Sequence, residues 1–271
     1  MRTRHFLQKE GNEVDIMYIL VLFAIGLTGS FVSGMLGIGG AIVKYPLLLY
    51  VPPLFGFTAF TAHEVSGISA LDVFFVSIAG VLAFKNGGYL NKKLIAIMGT
   101  AVLFGTLIGS FGSDHLSEAT VNIVYGVLAL LAAIMMLIPK KQIDDIPLDQ
   151  VKFNAPLAAI LAFFVGIGSG IVGAGGGFLL IPIMLLILRI PTRMTIASSL
   201  AVTFISSIAG SFGKIVTGQI DYLPAVIVII AGLIAAPIGA KVSKKMNTKL
   251  LQLFLAVLIL VTAIKIWADI L

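Results

Sequence analysis

The 271-residue chain contains no cysteine, three histidines, and charged residues at only 11% of its positions. Without cysteine, the protein can form neither disulfides nor thiolate metal sites. His5, His63 and His115 are scattered along the sequence, so they do not predict a metal site. Soluble domains contain about 25% charged residues. The low charge of this chain therefore excludes an ordinary water-soluble protein.

Apolar residues make up 59% of the chain, and its mean hydropathy is +1.12. A helix of about 20 apolar residues crosses a bilayer, and the sequence offers ten apolar segments, most of them close to that length. The sequence therefore predicts an all-α integral membrane protein. The segments are 17–34, 41–55, 64–84, 94–112, 119–138, 155–171, 177–190, 195–214, 222–240 and 249–268.

A glycine-rich motif occurs twice. The first copy, Gly34-x-x-Gly37-x-Gly39-Gly40, returns 136 residues later as Gly170-x-x-Gly173-x-Gly175-Gly176, and both copies are followed by a proline. Further along, Ile78-Ala79-Gly80 matches Ile208-Ala209-Gly210 at a spacing of 130 residues. The chain therefore divides into two repeats of five segments. The segment after each motif is short, and we expect a short or broken helix there.

Lysines between the segments predict how the two repeats are oriented. They follow the third segment in the first half and the fourth segment in the second half. Lysine-rich loops lie on the cytoplasmic side, so equivalent loops fall on opposite sides of the membrane. The sequence therefore predicts two inverted-topology repeats of about five transmembrane segments each. The predicted regions are an N-terminal tail (1–16), the first repeat (17–138), a cytoplasmic linker (139–154) and the second repeat (155–271).

The net charge of +6 is carried by these loop clusters, so it indicates membrane topology rather than binding to nucleic acid. Lys214 lies at a segment end and is interpreted in the same way. Gly105 and Gly109 are interpreted as a helix-packing face. The stretch Gly39–Lys44 lacks the frame of a nucleotide-binding P-loop, so ATP-driven transport by this chain is not expected.

The glycine motifs suggest a binding site. Broken backbone at membrane depth must be buried in protein or line a wet cavity. A helix that starts after such a break directs its free N–H groups toward it, where an oxyanion can bind. Close helix packing through small residues is the alternative explanation. The substrate-binding residues predicted from the two loops are Gly37, Gly39, Gly40, Gly173, Gly175, Gly176 and Gly177.

The third segment of the second half carries a stripe of hydroxyl side chains on one helical face, formed by Thr195, Ser199, Thr203, Ser206 and Ser207. Ser69 matches Ser199 in the first half. Such hydroxyls can simply bond to a preceding carbonyl or to a neighbouring helix. Because hydroxyl side chains follow the glycine loop in both halves, Ser69, Ser199 and Thr203 are also predicted as substrate ligands.

Four charged or titratable residues lie within or beside the apolar segments of the first half. Lys44 could supply positive charge to an anion, or its long side chain could reach the membrane surface instead. Asp72, in the middle of a segment, and His63 with Glu64, at its start, are predicted proton-coupling residues. A salt bridge or interfacial capping is the alternative for these three.

The two motifs, each followed by a Ser/Thr-rich segment, resemble the TauE/SafE family of sulfite and organosulfonate exporters. The resemblance implies a bacterial or archaeal permease of the inner (cytoplasmic) membrane that moves small sulfur-containing anions. We expect secondary transport by alternating access. Coupling to protons is one version of this expectation. The alternative is a cation carrier or channel that uses Asp72 and Glu64. An intramembrane enzyme is disfavoured because no nucleophile–base pair is evident.

The partners expected from this interpretation are a small anionic substrate and the lipid bilayer. We expect no cofactor, no metal and no nucleic acid. Homo-oligomerisation is left open.

Overall fold

The structure, a computed structural model, describes residues 15–39, 41–84, 88–138 and 151–270. These residues form helices and contain no strand. Within these ranges, seven helices are long and apolar enough to cross a membrane, which confirms the predicted all-α membrane fold. The helices are α1 (Ile16–Leu36), α2 (Ala41–Leu54), α3 (Ala62–Phe84), α4 (Lys92–Gly112), α5 (Glu118–Leu137), α6 (Ala155–Val172), α7 (Gly177–Pro182), α8 (Thr192–Val216), α9 (Tyr222–Lys245) and α10 (Thr248–Ile270).

Each predicted segment matches one helix, apart from shifts of a few residues at the ends. The predicted boundaries of the tail and of the linker stay predictions, because residues 1–14 and 139–150 lie outside the described ranges. Gly40 also lies outside them.

Helices α1 and α6 end in the same way. Gly37, with φ 78°, and Gly173, with φ 73°, adopt the left-handed conformation that glycine tolerates best. The N–H groups of these glycines donate to the carbonyls of Ser33 and Ser169, which are equivalent positions of the repeat. The glycine motifs therefore stop a membrane helix at the same point of each half.

The helices that follow these stops are short, as predicted. Helix α2 has 14 residues, which corresponds to about 21 Å and falls short of the ~30 Å hydrocarbon layer. Helix α7 has six residues and continues into a π-helical turn, Ile183–Ile187. Stacking of Tyr45 on Tyr125 of α5, with 4.3 Å between ring centroids, holds α2 in place.

Helices from different halves pack closely through glycines. Helix α1 lies along α9, where Gly34 faces the carbonyl of Ala236, and α6 lies along α4, where Gly109 faces the carbonyl of Ile167. In the repeat, α1 corresponds to α6 and α9 corresponds to α4, so the two pairs are equivalent. Backbones approach this closely only where one partner lacks a side chain, so Gly109 has the predicted packing role.

Helices α3 and α8 cross the centre of the molecule in opposite directions. Along α3, Gly80 contacts Leu200, Phe74 lies 5.6 Å from Phe204 between ring centroids, and the Ala70 carbonyl accepts a 3.0 Å hydrogen bond from Ser211. The numbering thus rises along one helix as it falls along the other. This antiparallel packing agrees with the inverted repeat, which stays a prediction.

Gly109→Val should destabilise the fold, because the added side chain would collide with the carbonyl of Ile167. Overpacking typically costs about 1–3 kcal/mol, so we expect a clearly lower Tm of the purified protein in detergent. Gly112→Val, three residues later in the same helix, is the control, because nothing lies within 4 Å of that position. Equal Tm values for the two variants would contradict this account of the packing.

Candidate functional site

The two glycine loops meet at one point between α3 and α8. A Cβ placed on Gly39 would lie 2.7 Å from Cγ2 of Thr203 and 3.4 Å from Cγ1 of Val73. A Cβ on Gly175 would lie 2.8 Å and 2.7 Å from the same two atoms. Val73 and Thr203 are equivalent residues of the repeat, so the loops approach the same central point from the two halves. Neither loop leaves room there for a side chain.

The other predicted glycines are placed around this point. Gly177 faces Thr203 and the Ile38 carbonyl, Gly37 faces the Ile196 carbonyl, and Gly173 faces the Ser66 carbonyl. Gly176 points elsewhere, toward Val165 and Ser169 of α6. The structure therefore brings Gly39, Gly175 and Gly177 together at Thr203. Gly37 and Gly173 pack seven residues away, about 10 Å, along α8 and α3, and Gly176 lies aside.

Most of the hydroxyl stripe has a structural role. Ser199 donates to the Gly37 carbonyl at 2.9 Å, Ser206 bonds to Thr106 of α4 at 2.7 Å, and Ser207 donates to the Phe204 carbonyl at 2.7 Å. These contacts match the alternative that such hydroxyls only bond to nearby helices.

Two hydroxyls predicted as substrate ligands, one in the stripe and one on α3, differ from these bonded hydroxyls. The hydroxyl groups of Thr203 and Ser69 are buried and have no hydrogen-bond partner among the described residues. Buried polar groups are nearly always satisfied, and each exception calls for an explanation. The Cγ2 methyl of Thr203 faces Gly39 and Gly175, whereas its Oγ1 faces Gly177 of the second loop. Ser69 is one helical turn from Val73, so both unpartnered hydroxyls lie beside the point where the loops meet.

Lys44 and Asp72 form a fully buried ion pair that joins the first turn of α2 to the middle of α3. The stem of Lys44 packs against Gly29 of α1, so the alternative that Lys44 reaches the membrane surface is wrong. Asp72 has the salt bridge that was its alternative explanation. Lys44 begins beside the first glycine loop, but its side chain runs along Gly29, eight residues before Gly37 on α1, to reach Asp72. Asp72 therefore balances the charge of Lys44 in the middle of α1 and α3.

The second carboxylate oxygen of Asp72, Oδ1, has no partner among the described residues. It lies beside Gly232 of α9, together with the unpartnered hydroxyl of Ser30. A Cβ on Gly232 would lie 3.0 Å from Asp72 Oδ1 and 2.7 Å from Ser30 Oγ. Ser30 and the similarly unpartnered Ser33 could not be predicted as site residues, because serines in an apolar helix show no distinctive pattern.

His63 and Glu64 do not join this pair. Glu64 accepts a 2.9 Å hydrogen bond from the N–H of Thr61, while Thr61 Oγ1 accepts a 3.2 Å bond from the N–H of Glu64. This reciprocal pattern is a capping box at the start of α3. Asp72 is eight residues further along the helix, or about 12 Å. Glu64 thus has the capping contact that was its alternative explanation.

Asp221, just before α9, is a further acidic residue near Glu64. Burial raises the pKa of Asp221 to about 6, and the negative charge of Glu64 contributes to the increase. No group of three His, Asp or Glu side chains suited to a metal was found in the described ranges.

The structure places the side chain of Lys214 differently from what its position at a segment end indicates. A lysine that only marks topology would face water, yet Lys214 is fully buried and bonds to Ser113, Gln219 and the Ile171 carbonyl. The topological interpretation of its side chain is therefore wrong.

Comparison with known proteins agrees with this architecture. The family model for the sulfite exporter TauE/SafE matches residues 22–266. The probable membrane transporter protein YunE of Bacillus subtilis is 24% identical over 90% of this chain and 95% of its own length. A probable membrane transporter protein of Xylella fastidiosa (strain 9a5c) is 27% identical over 94% of this chain and 98% of its length. No solved structure matches the chain.

The protein is thus a multi-pass membrane transporter rather than an enzyme. It belongs to the TauE/SafE family, which confirms the resemblance found in the sequence.

The Lys44–Asp72 pair can be tested with residues taken from the repeat, where Leu180 and Val202 occupy the equivalent positions. Asp72→Val alone leaves a buried ammonium without its partner, and breaking a buried pair typically costs about 3–5 kcal/mol. Lys44→Leu together with Asp72→Val removes both charges and should restore most of that stability. Unfolding measurements on both single variants and the double variant check this. A double variant less stable than either single variant would contradict it.

Proposed function

We propose that this transporter moves a small sulfur-containing anion, such as sulfite or an organosulfonate, across the cell membrane by alternating access. The observation that carries the proposal is the unpartnered Thr203 hydroxyl, which faces Gly177 of the second glycine loop, beside the point where both loops meet. A sulfonyl oxygen is an acceptor that such a hydroxyl can bind. Family membership supports the substrate class, since the matching family model is described as a sulfite exporter.

The anion would bind between α3 and α8. Thr203 and Ser69 supply hydroxyl donors, and α2 directs its N-terminal end toward the first loop. Helix α7 contributes less, because it has only six α-helical residues and the dipole effect grows with aligned peptide units. The charge for an anion comes from Lys44, in the first turn of α2.

We infer that the halves form an inverted repeat that opens alternately to the two sides. The antiparallel packing of α3 and α8 supports this, as does the exchange-related packing of α1 on α9 and α6 on α4. In transporters built this way, one half moves against the other around a fixed central site.

The proposal includes proton coupling at Asp72. An anion that pairs with Lys44 takes the place of Asp72, whose carboxylate would then be buried without a cation. Because an uncompensated buried charge is costly, Asp72 binds a proton as the anion binds. No other titratable residue lies in the surrounding parts of α1 (22–34), α8 (200–207) and α9 (225–236). His63 and Glu64, at the membrane face, are the alternative carriers of the proton.

A second candidate function is transport of a cation. The observation in its favour is the pair of unpartnered oxygens, Asp72 Oδ1 and Ser30 Oγ, which both lie within 3.0 Å of where a Cβ on Gly232 would be. A monovalent cation would bind these oxygens. Glu64 would not take part at that site, since it caps the start of α3.

Thr203→Val keeps the side-chain volume but removes the central hydroxyl. Sulfite uptake into proteoliposomes should fall about tenfold in Vmax/KM, the effect of losing one hydrogen bond to a charged ligand. Thr100→Val is the matched control, because Thr100 is exposed and bonds only to the Ala96 carbonyl of its own helix. Saturable sulfite uptake that is unaffected by Thr203→Val would contradict the central site. No uptake of sulfite or of any sulfonate by the unmodified protein would sink the anion proposal.

Asp72→Asn separates the two candidate functions. If Asp72 carries the proton, a pH gradient should no longer drive sulfite accumulation, while exchange of sulfite across the membrane should continue. Lumenal pH dyes and isotope exchange measure the two processes separately. Unchanged pH-driven accumulation would rule out Asp72 as the proton carrier. Uptake of a metal cation by the unmodified protein, abolished in this variant, would instead support the cation carrier.

A further inference from the structure

Four side chains form a hydrogen-bonded cluster at the membrane face where α3 begins and α4, α6 and α8 end. Lys214 Nζ donates to Ser113 Oγ and to Gln219 Oε1, both at 2.7 Å, and to the Ile171 carbonyl at 3.0 Å. His63 Nδ1 lies 3.2 Å from the same oxygen of Gln219. We refer to Lys214, Gln219, Ser113 and His63 as the face cluster. Its contacts cross between halves, since His63 and Ser113 belong to the first and the others to the second.

The face cluster holds a buried ammonium without a carboxylate. Among the described residues, no Asp or Glu oxygen lies within 4 Å of Lys214 Nζ. The ammonium is satisfied by neutral oxygens at the carboxyl-terminal ends of three helices, where the helix dipoles are negative. Breaking its bond to Ser113 therefore leaves no bare carboxylate inside the protein. Such a contact can open and close repeatedly at a lower cost than a buried ion pair.

The face cluster lies at the membrane-face end of α8, and the central point lies deeper along the same helix. Lys214 follows Thr203 by 11 residues, or about 16 Å along α8, and Ser69 lies between them on the facing helix. At the other end of α8, beside Met194, a cavity of about 810 Å³ opens and is lined by Lys92, Lys93 and Lys152. One end of α8 is thus sealed by contacts between the halves, and the other end borders a cavity.

We propose that the face cluster is the gate that closes this end of the transport path, with Lys214 as its central residue. When the halves separate here, Lys214 loses Ser113 and Gln219 loses His63. The ammonium then faces the path with its positive charge exposed to an anion. The identity of the anion rests on the proposed function, but closure of this end does not.

Because the chain has no cysteine, one introduced cysteine reports accessibility without further engineering. Ser69→Cys places a thiol beneath the face cluster, and a membrane-impermeant methanethiosulfonate is added to membrane vesicles of known orientation. Lys214→Met should speed labelling by at least about tenfold from the face-cluster side, since it removes the three charged hydrogen bonds to Ser113, Gln219 and the Ile171 carbonyl. Ser113→Ala should act in the same direction, since it breaks the contacts of Ser113 with Lys214 and Gln219 of the other half and otherwise removes only a local bond to the Ser110 carbonyl. His115→Cys, exposed at this face, identifies the side.

Two controls separate opening of a gate from loosening of the whole fold. Lys241→Met removes an exposed lysine and should leave labelling unchanged. Ser199→Cys, the equivalent of Ser69 toward the opposite face, should not react faster in the Lys214→Met background. Unchanged labelling at Ser69→Cys, or equal acceleration of both thiols, would overturn the gate. The labelling needs no substrate, so one-sided labelling together with no sulfite uptake would mean that the transport proposal fails while the gate stands.

Discussion

The structure depends on the burial of two breaks in its membrane helices. Backbone groups left unpaired at membrane depth cost several kcal/mol each unless protein or water satisfies them. The chain meets this constraint by placing both breaks against each other, between α3 and α8. Only glycine allows that approach, because a Cβ on Gly39 or Gly175 would fall within 3 Å of Thr203 or Val73. The same burial creates an enclosed central point with two unsatisfied hydroxyls.

The polar groups around that centre are unevenly distributed between the halves. The backbone breaks are duplicated, yet the ion pair exists only in the first half, since Leu180 and Val202 replace Lys44 and Asp72 in the second. A symmetric scaffold therefore carries an asymmetric charge arrangement. In our proposal the scaffold provides the alternating movement, and the ion pair links the anion to a proton. The face cluster is likewise built from unlike residues of the two halves.

Much of the fold could be predicted because the hydropathy of a segment and the termination of a helix by glycine depend on the local sequence. The length of an apolar run limits a helix, and Gly37 and Gly173 stop α1 and α6 whatever surrounds them. The contacts of Lys44 and Lys214 could not be predicted, because the direction of a long side chain depends on the packing of other helices. A lysine at a segment end is the same pattern whether it faces water or, as Lys214 does, the interior. The hydroxyl stripe was visible in the sequence, but only packing shows that Thr203 is unpartnered while Ser199 is bonded.

The central claim is that the anion binds where the two glycine loops meet. An experimental structure of the protein with 2-bromoethanesulfonate tests this most directly, because the anomalous signal of bromine locates the ligand. Our account predicts the sulfonate within hydrogen-bonding distance of the Thr203 hydroxyl, beside Gly177. A sulfonate bound only in the cavity beside Met194, with the central point empty, would contradict it.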